Sequence, residues 1–177
     1  INPEVSDIPD RCAKEKNGVK LLVMGTVETG GGGCVCPEHV ILKRIISHLV
    51  VGKDGIVIMD MEAGLEHLGR GTAEMVDFFI VVVEPGARSI QTYHRIKSLA
   101  ADLNIKKVSV VGNKIRNEED RAFIAARVPD SDMLGYISYS DEVIDADKNE
   151  ASPFEMDKKI AIEIKKIKER IDHEETV

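Results

Sequence analysis

Short runs rich in Val and Ile alternate along this chain with helical patterns, and that alternation restricts the fold more than any other feature. The runs expected as strands span residues 19–24, 56–59, 78–83, 108–111 and, less apolar, 133–137. They are nearly continuous in apolar side chains, as strands covered on both faces are. Between them lie stretches with apolar residues at helical spacing. Ile41, Leu42, Ile45, Ile46 and Leu49 form one stripe behind Pro37, a residue suited to the first helical position. Ile90, Tyr93, Ile96, Leu99 and Leu103 form a second, and 118–127 reads as a shorter, more polar helix. Residues 141–152 read as a loop or short helix. An amphipathic helix over about 154–172 follows, with Ile160, Ile164, Ile167 and Ile171 turned to the sheet. The expectation is one α/β domain over 1–177, a mostly parallel sheet with helices on both faces.

Composition removes several classes of function. A formal charge of −7 with no basic block argues against a nucleic-acid partner. No apolar run approaches a membrane span, and no signal peptide opens the sequence. The last helix mixes Glu155, Glu163 and Glu169 among its lysines, which weakens any attraction to lipid. Three cysteines, two of them nearly adjacent, do not make a disulfide framework, so a reducing cytoplasm is expected.

Those two cysteines open a chemical reading. Gly30, Gly31, Gly32 and Gly33 lead into Cys34-Val35-Cys36, and Pro37-Glu38 begin a helix. Thiols at a helix start are favoured as thiolates, which soft metals require. Two sulfurs do not close a tetrahedral site, so a second copy related by a two-fold axis is the simplest source of the rest. The alternative is a surface loop carrying inert thiols. His39 is a further candidate ligand but is expected rather to face solvent, and Cys12 to be a lone thiol.

In open parallel sheets, ligands bind beyond the carboxyl ends of the strands. The run 56–59 ends in Asp60, followed by Met61-Glu62-Ala63-Gly64. In P-loop proteins a carboxylate so placed holds Mg²⁺, and a nearby glycine N–H meets the terminal phosphate. Asp60, Glu62 and Gly64 are therefore the candidate catalytic group, against the plainer reading of Asp60 as a cap or turn residue. The run 108–111 leads into Gly112-Asn113-Lys114, and an Asn-Lys pair there is a base-reading element. GTPases continue the pair with x-Asp to accept from guanine, whereas Ile115 and Arg116 follow here, which favours adenine. Asn113 and Lys114 are the candidate cofactor residues, although Asn113 also suits a turn. After 78–83 come Glu84-Pro85-Gly86, then Arg88 as a phosphate, partner or surface residue, and Ser89 as a helix cap.

The phosphate loop G-x-x-x-x-G-K-[ST] does not occur. Its nearest imitation, Gly52-Lys53, is followed by Asp54 and has Ser47 where the first glycine belongs. The chain starts at Ile1 rather than Met, so it is expected to be a piece of a longer protein, without the P-loop strand and inactive in ATP hydrolysis by itself.

Together these segments resemble the CooC-type ATPases, the nickel-insertion accessory proteins of carbon monoxide dehydrogenase within the MinD/ParA and nitrogenase iron-protein group. The resemblance runs from Asn2-Pro3 through Gly33-Cys34-Val35-Cys36-Pro37-Glu38, residues 57–70, Val83-Glu84-Pro85-Gly86 and Val111-Gly112-Asn113-Lys114. It implies that Cys34 and Cys36 bind Ni²⁺ or Zn²⁺ at a homodimer seam, that Asp60 serves Mg²⁺ and that Asn113 contacts the adenine of ATP or ADP. Carbon monoxide dehydrogenase is the implied client, and an ATP-dependent nickel metallochaperone the implied function. Alternatives are a non-enzymatic metal-binding and dimerisation module, or a MinD/ParA-type partition ATPase.

Overall fold

The computed structural model describes residues 12–23, 55–61, 76–105 and 107–174. They fall in two compact units that divide between Val76 and Asp77. The cysteine pair and the expected helix behind Pro37 lie outside the described residues.

In the first unit, β1 (Lys14–Lys16) and β2 (Val19–Leu21) pair antiparallel, with Lys14 opposite Leu21 and Lys16 opposite Val19. Asn17 and Gly18 turn between them with φ of 54° and 78°. Both central residues of a type I′ turn need positive φ, and Asn-Gly is the pair that tolerates it best. The run 19–24 was expected to enter a buried parallel sheet. Instead Val19 and Leu21 are exposed, because the Asn-Gly turn gives β2 a local partner. The run 56–59 is also not a strand: it has no ladder partner among the described residues, and Ile56 and Ile58 are 83% and 87% exposed. Strand character comes from pairing, and apolarity alone does not provide it.

The second unit carries the parallel sheet, in the order β3 (Phe79–Val83), β4 (Val108–Ile115), β5 (Met133–Ser138). Phe79 lies opposite Val108 and Val83 opposite Gly112, while Val110 pairs with Met133 and Ile115 with Ser138. The crossovers hold α1 (Ala87–Asp102) and α2 (Glu118–Ala125). Beyond β5 come α3 (Asp141–Lys148), α4 (Pro153–Met156) and α5 (Lys158–Glu174). Among the described residues, no helix is long and apolar enough to cross a membrane.

Helices cover both faces, as the alternation requires. On one face Val81, Val83, Val110, Ile115 and Met133 pack with Ile90 and Tyr93 of α1 and Ile124 of α2. On the other, Val111 and Leu134 pack with Ile167 of α5, joined by Ile137 and Ile171. Arg170 fixes this helix by donating to the carbonyls of Met133 (3.0 Å) and Leu134 (3.2 Å). Coverage of the second face is incomplete at β3, where Ile80 and Val82 stay about half exposed. Asp157 separates α4 from α5. Its carboxylate accepts from the N–H groups of Lys159 (2.8 Å) and Ile160 (3.0 Å), an N-cap arrangement. Hydrogen bonds from Ser140 and from the Ile160 N–H outweigh burial and hold that carboxyl below its ordinary range.

A polar clamp ties α1 to the turn before β5. The hydroxyl of Tyr93, itself buried, donates to Asp132 Oδ2 at 2.5 Å, and Lys97 Nζ donates to the same oxygen. Burial pushes the Asp132 carboxyl up, but the bonds from Lys97 and Tyr93 win and hold it below the usual carboxylate range.

Two outcomes follow. A folded-state carboxyl held low contributes stability above the ordinary carboxyl range and loses it as pH falls through the folded value. Acid unfolding followed by circular dichroism should therefore be less steep in Asp132→Asn than in the parent. In β4, a Cβ on Gly112 would sit 2.6 Å from Tyr136 Cδ1 and 3.2 Å from Ile124 Cδ1. Gly112→Ala should lower stability by about 1–3 kcal/mol through overpacking, read as a lower urea midpoint at unchanged slope.

Candidate functional site

The carboxyl ends of β3, β4 and β5 bring together Glu84, Asn113, Lys114, Arg116, Ser138 and Tyr139. Parallel strands deliver these residues to one edge of the sheet, and the segments that follow the strands shape it.

Beyond β3, Pro85-Gly86 turn the chain into α1, with Gly86 as its N-cap in extended backbone. Ser89 was expected to cap this helix. The helix starts earlier, at Ala87, and Ser89 Oγ instead accepts from the N–H of Glu84 at 3.0 Å. The Ser89 hydroxyl thereby fixes the loop rather than the helix end. Glu84 Oε1 pairs with Lys114 Nζ at 2.6 Å, joining the ends of β3 and β4. Both side chains are about half exposed, so the pair contributes at most about 1 kcal/mol. Arg88 is exposed.

The end of β4 departs from regular strand geometry. Its register against β5 shifts between Val110 and Val111 and again between Gly112 and Ile115. Lys114 stands at φ 58°, in the left-handed region, and its N–H donates to Asn113 Oδ1 at 2.9 Å. Asn113 thus uses its side-chain oxygen locally, the turn chemistry weighed for it in the sequence, and its side-chain amide NH₂ is the group left to meet a ligand. Ile115 returns to the core, and Arg116 leaves the strand. The Arg116 N–H donates to Asp120 Oδ2 at 2.9 Å, while Asn117 Oδ1 accepts from the Asp120 N–H at 2.8 Å. The Asn117 side chain caps α2, whose first turn is acidic, in accord with its dipole.

Beyond β5, the Tyr139 N–H donates to the Ile115 carbonyl at 2.9 Å and the Tyr139 hydroxyl to Asp141 Oδ1 at 3.2 Å. The Arg116 guanidinium lies over the Tyr139 ring, 4.7 Å from its centroid. Glu163 of α5 accepts from the Ser138 N–H (2.8 Å) and Ser138 Oγ (2.7 Å), locking the end of β5.

Of the residues proposed from sequence, Asn113 and Lys114 are adjacent at this edge. Asp60 is described in the first unit, exposed and outside any ladder. Glu62, Gly64, Cys34 and Cys36 lie outside the described residues. Among the described residues, no cluster of three or more His, Cys, Asp or Glu is placed to hold a metal ion. Glu163 and Tyr139 were missed. Tyr139 was findable, because the rule applied to the other strand ends also points to the residues after 133–137. Glu163 carried no such signal, since its role depends on how α5 lies on β5. A cavity of about 380 Å³ lies at the amino end of β4, lined by Lys97, Lys107, Ser109, Ser131 and Asp132, at the other end of the strand from this edge.

No protein-family model matches the chain. It is similar to an uncharacterised ATP-binding protein of Methanocaldococcus jannaschii, 44% identical over 172 residues, covering 94% of this chain and 65% of that protein. It is similar also to the carbon monoxide dehydrogenase accessory protein CooC of Rhodospirillum rubrum, 42% identical over 156 residues, covering 88% of this chain and 59% of CooC. A further uncharacterised ATP-binding protein of M. jannaschii is 30% identical over 140 residues, covering 79% of this chain and 55% of its own length. The chain therefore spans between 55% and 65% of these relatives. It is a homologue of a carbon monoxide dehydrogenase accessory protein and of ATP-binding proteins, in keeping with the resemblance read from its motifs.

Glu163→Ala leaves the Ser138 N–H and hydroxyl without their acceptor and should cost about 1–3 kcal/mol. Glu163→Gln keeps an acceptor oxygen and should recover most of that loss, both read from urea unfolding midpoints.

Proposed function

We propose that this chain is the larger part of a CooC-like ATPase that handles nickel for the maturation of carbon monoxide dehydrogenase. The observation that carries the reading is 42% identity to CooC over 88% of the chain, a span that takes in the cysteine pair and the β4 edge. The three-stranded parallel sheet supports it, because its carboxyl edge presents Asn113 and Lys114 where a nucleotide base can be met.

In this reading Asn113 offers its amide NH₂ to adenine, and Lys114, paired with Glu84 and turned at φ 58°, sets the loop around it. Asp60 is a hard carboxylate donor, exposed at the end of its apolar run, and that donor chemistry fits Mg²⁺. When bound, the ion offsets phosphate charge. Glu62 and Gly64 complete the candidate catalytic segment, the Gly64 N–H being a donor of the kind a terminal phosphate takes. Cys34 and Cys36 are the nickel donors, and zinc would occupy the same sulfurs. Two chains supply four thiolates, the number a closed tetrahedral site needs, so the cargo ion sits at a homodimer seam.

The test uses the full-length protein of which this chain is part. Metal content and oligomeric state are measured together by elemental analysis and light scattering. The parent should hold one nickel or zinc ion per pair of chains, and Cys34→Ala with Cys36→Ala should lose both ion and dimer. Unchanged metal content in that variant refutes the site. Asp60→Asn should retain nucleotide but lose most magnesium-dependent ATP hydrolysis; ordinary turnover there removes Asp60 from the mechanism.

A further inference from the structure

We infer that the outward face of α5 docks an acidic protein surface, and that this surface belongs to the enzyme receiving the cargo ion. The identity of that enzyme, carbon monoxide dehydrogenase, rests on the function proposed above. The chemistry of the face is set by the helix itself.

The roll of α5 is fixed from the sheet side. Ile167 and Ile171 pack on the sheet, Glu163 holds the end of β5, and Arg170 donates to two β5 carbonyls. At about 3.6 residues per turn, Ile162 then stands opposite Ile167 and Ile171. It is 54% exposed. Residues three and four apart are neighbours on a helix surface. For Ile162 all of these neighbours are exposed lysines: Lys158, Lys159, Lys165 and Lys166. Glu169, one turn further along the same stripe, is the carboxylate nearest to them in helical position.

These lysines differ from the others of the second unit. Among its described residues Lys97 pairs with Asp132, Lys114 with Glu84, Lys148 with Asp145 and Lys168 with Asp172, and Lys107 lies over the Phe78 ring. Lys158, Lys165 and Lys166 have no such partner among the described residues, and Lys159 meets the charge of Asp157. The chain as a whole carries a formal charge of −7, so lysines gathered on one face without internal carboxylates are matched to carboxylates from outside. An apolar centre inside a charged rim is the anatomy of a protein interface. A lipid surface fits less well, because the apolar face of α5 is already buried on the sheet and Ile162 is too little to enter a bilayer. One helix face makes a small contact, so the docking is brief and weakened by salt, as a delivery step requires.

The experiment follows binding of the full-length protein to nickel-free carbon monoxide dehydrogenase by biolayer interferometry, at low and at physiological salt. Lys158→Glu, Lys165→Glu and Lys166→Glu together should slow association about 10-fold or more at low salt and flatten its salt dependence. Ile162→Ala should hasten dissociation about 3- to 10-fold at either salt. Lys14→Glu, Lys16→Glu and Lys148→Glu together change the total charge by the same amount and should slow association far less. Equal slowing by the two triple variants assigns the effect to total charge and overturns the inference. A parent that binds, with α5 variants that bind as it does, overturns the inference and leaves the proposed function standing. A folded parent that does not bind the enzyme removes the client reading and the inference together. Lysine reversal that spares enzyme binding but abolishes capture by phosphatidylserine vesicles assigns the face to lipid instead. Should the α5 triple variant not fold by circular dichroism, Lys165→Gln with Lys166→Gln must still slow association about threefold.

Discussion

Burial of β4 on both faces, with a hydrogen-bonding strand on each edge, is the constraint that organises the second unit. The buried stretch of a parallel strand so placed has no water for its backbone groups, so β3 and β5 must supply their partners. Val110 and Val111, adjacent in sequence, enter opposite clusters, one facing α1 and α2 and the other facing α5. The requirement reaches the side chains as well. Gly112 is bare because the Tyr136 ring and Ile124 occupy the space a methyl would need. Tyr136 in turn lies beneath Arg121 of α2, whose guanidinium is 4.6 Å from the ring centroid. Strand, ring and helix therefore fix one another.

Where the sequence was legible, the physics was of the same kind. Phe79–Val83, Val108–Ile115 and Met133–Ser138 were readable because apolar, β-branched runs match strands that are paired and covered. Ile90 and Tyr93 sit in the core as their spacing required. Two apolar runs did not behave this way. Val19-Lys20-Leu21 has its partner strand just across the two-residue Asn17-Gly18 turn, and local chemistry set its pairing. Residues 56–59 have apolarity but no ladder among the described residues, and apolarity does not supply one. Asp157 divides the last helical stretch for a related reason: its carboxylate competes for backbone N–H groups that an uninterrupted helix would use.

The site was legible where position along a strand suffices and illegible where tertiary placement decides. Asn113 and Lys114 follow from the rule that ligands meet carboxyl ends. Their arrangement does not, since the Lys114–Glu84 pair depends on β3 lying beside β4. Arg116 was read in the sequence as the absence of an acidic residue. Its structural meaning is positive, a guanidinium fixed on a ring that belongs to the next strand's loop. Glu163 lies 25 residues from Ser138 and becomes visible only once α5 packs against β5.

The irregularity at the end of β4 sets the proposed nucleotide edge apart from a plain strand terminus. A lysine at φ 58° costs about 1 to 3 kcal/mol relative to extended backbone. The exposed pair with Glu84 returns at most about 1 kcal/mol, so it does not by itself hold Lys114 there. What holds it is the regular structure on either side. Ile115 is buried, pairs with Ser138 and accepts from Tyr139, and Arg116 is already committed to the cap of α2. Between these anchors the chain passes through the left-handed turn at Lys114. Strain confined to one residue, with the core closed immediately after it, suits the proposed binding edge: polar groups are displayed at the end of the ladder without opening the sheet beneath them.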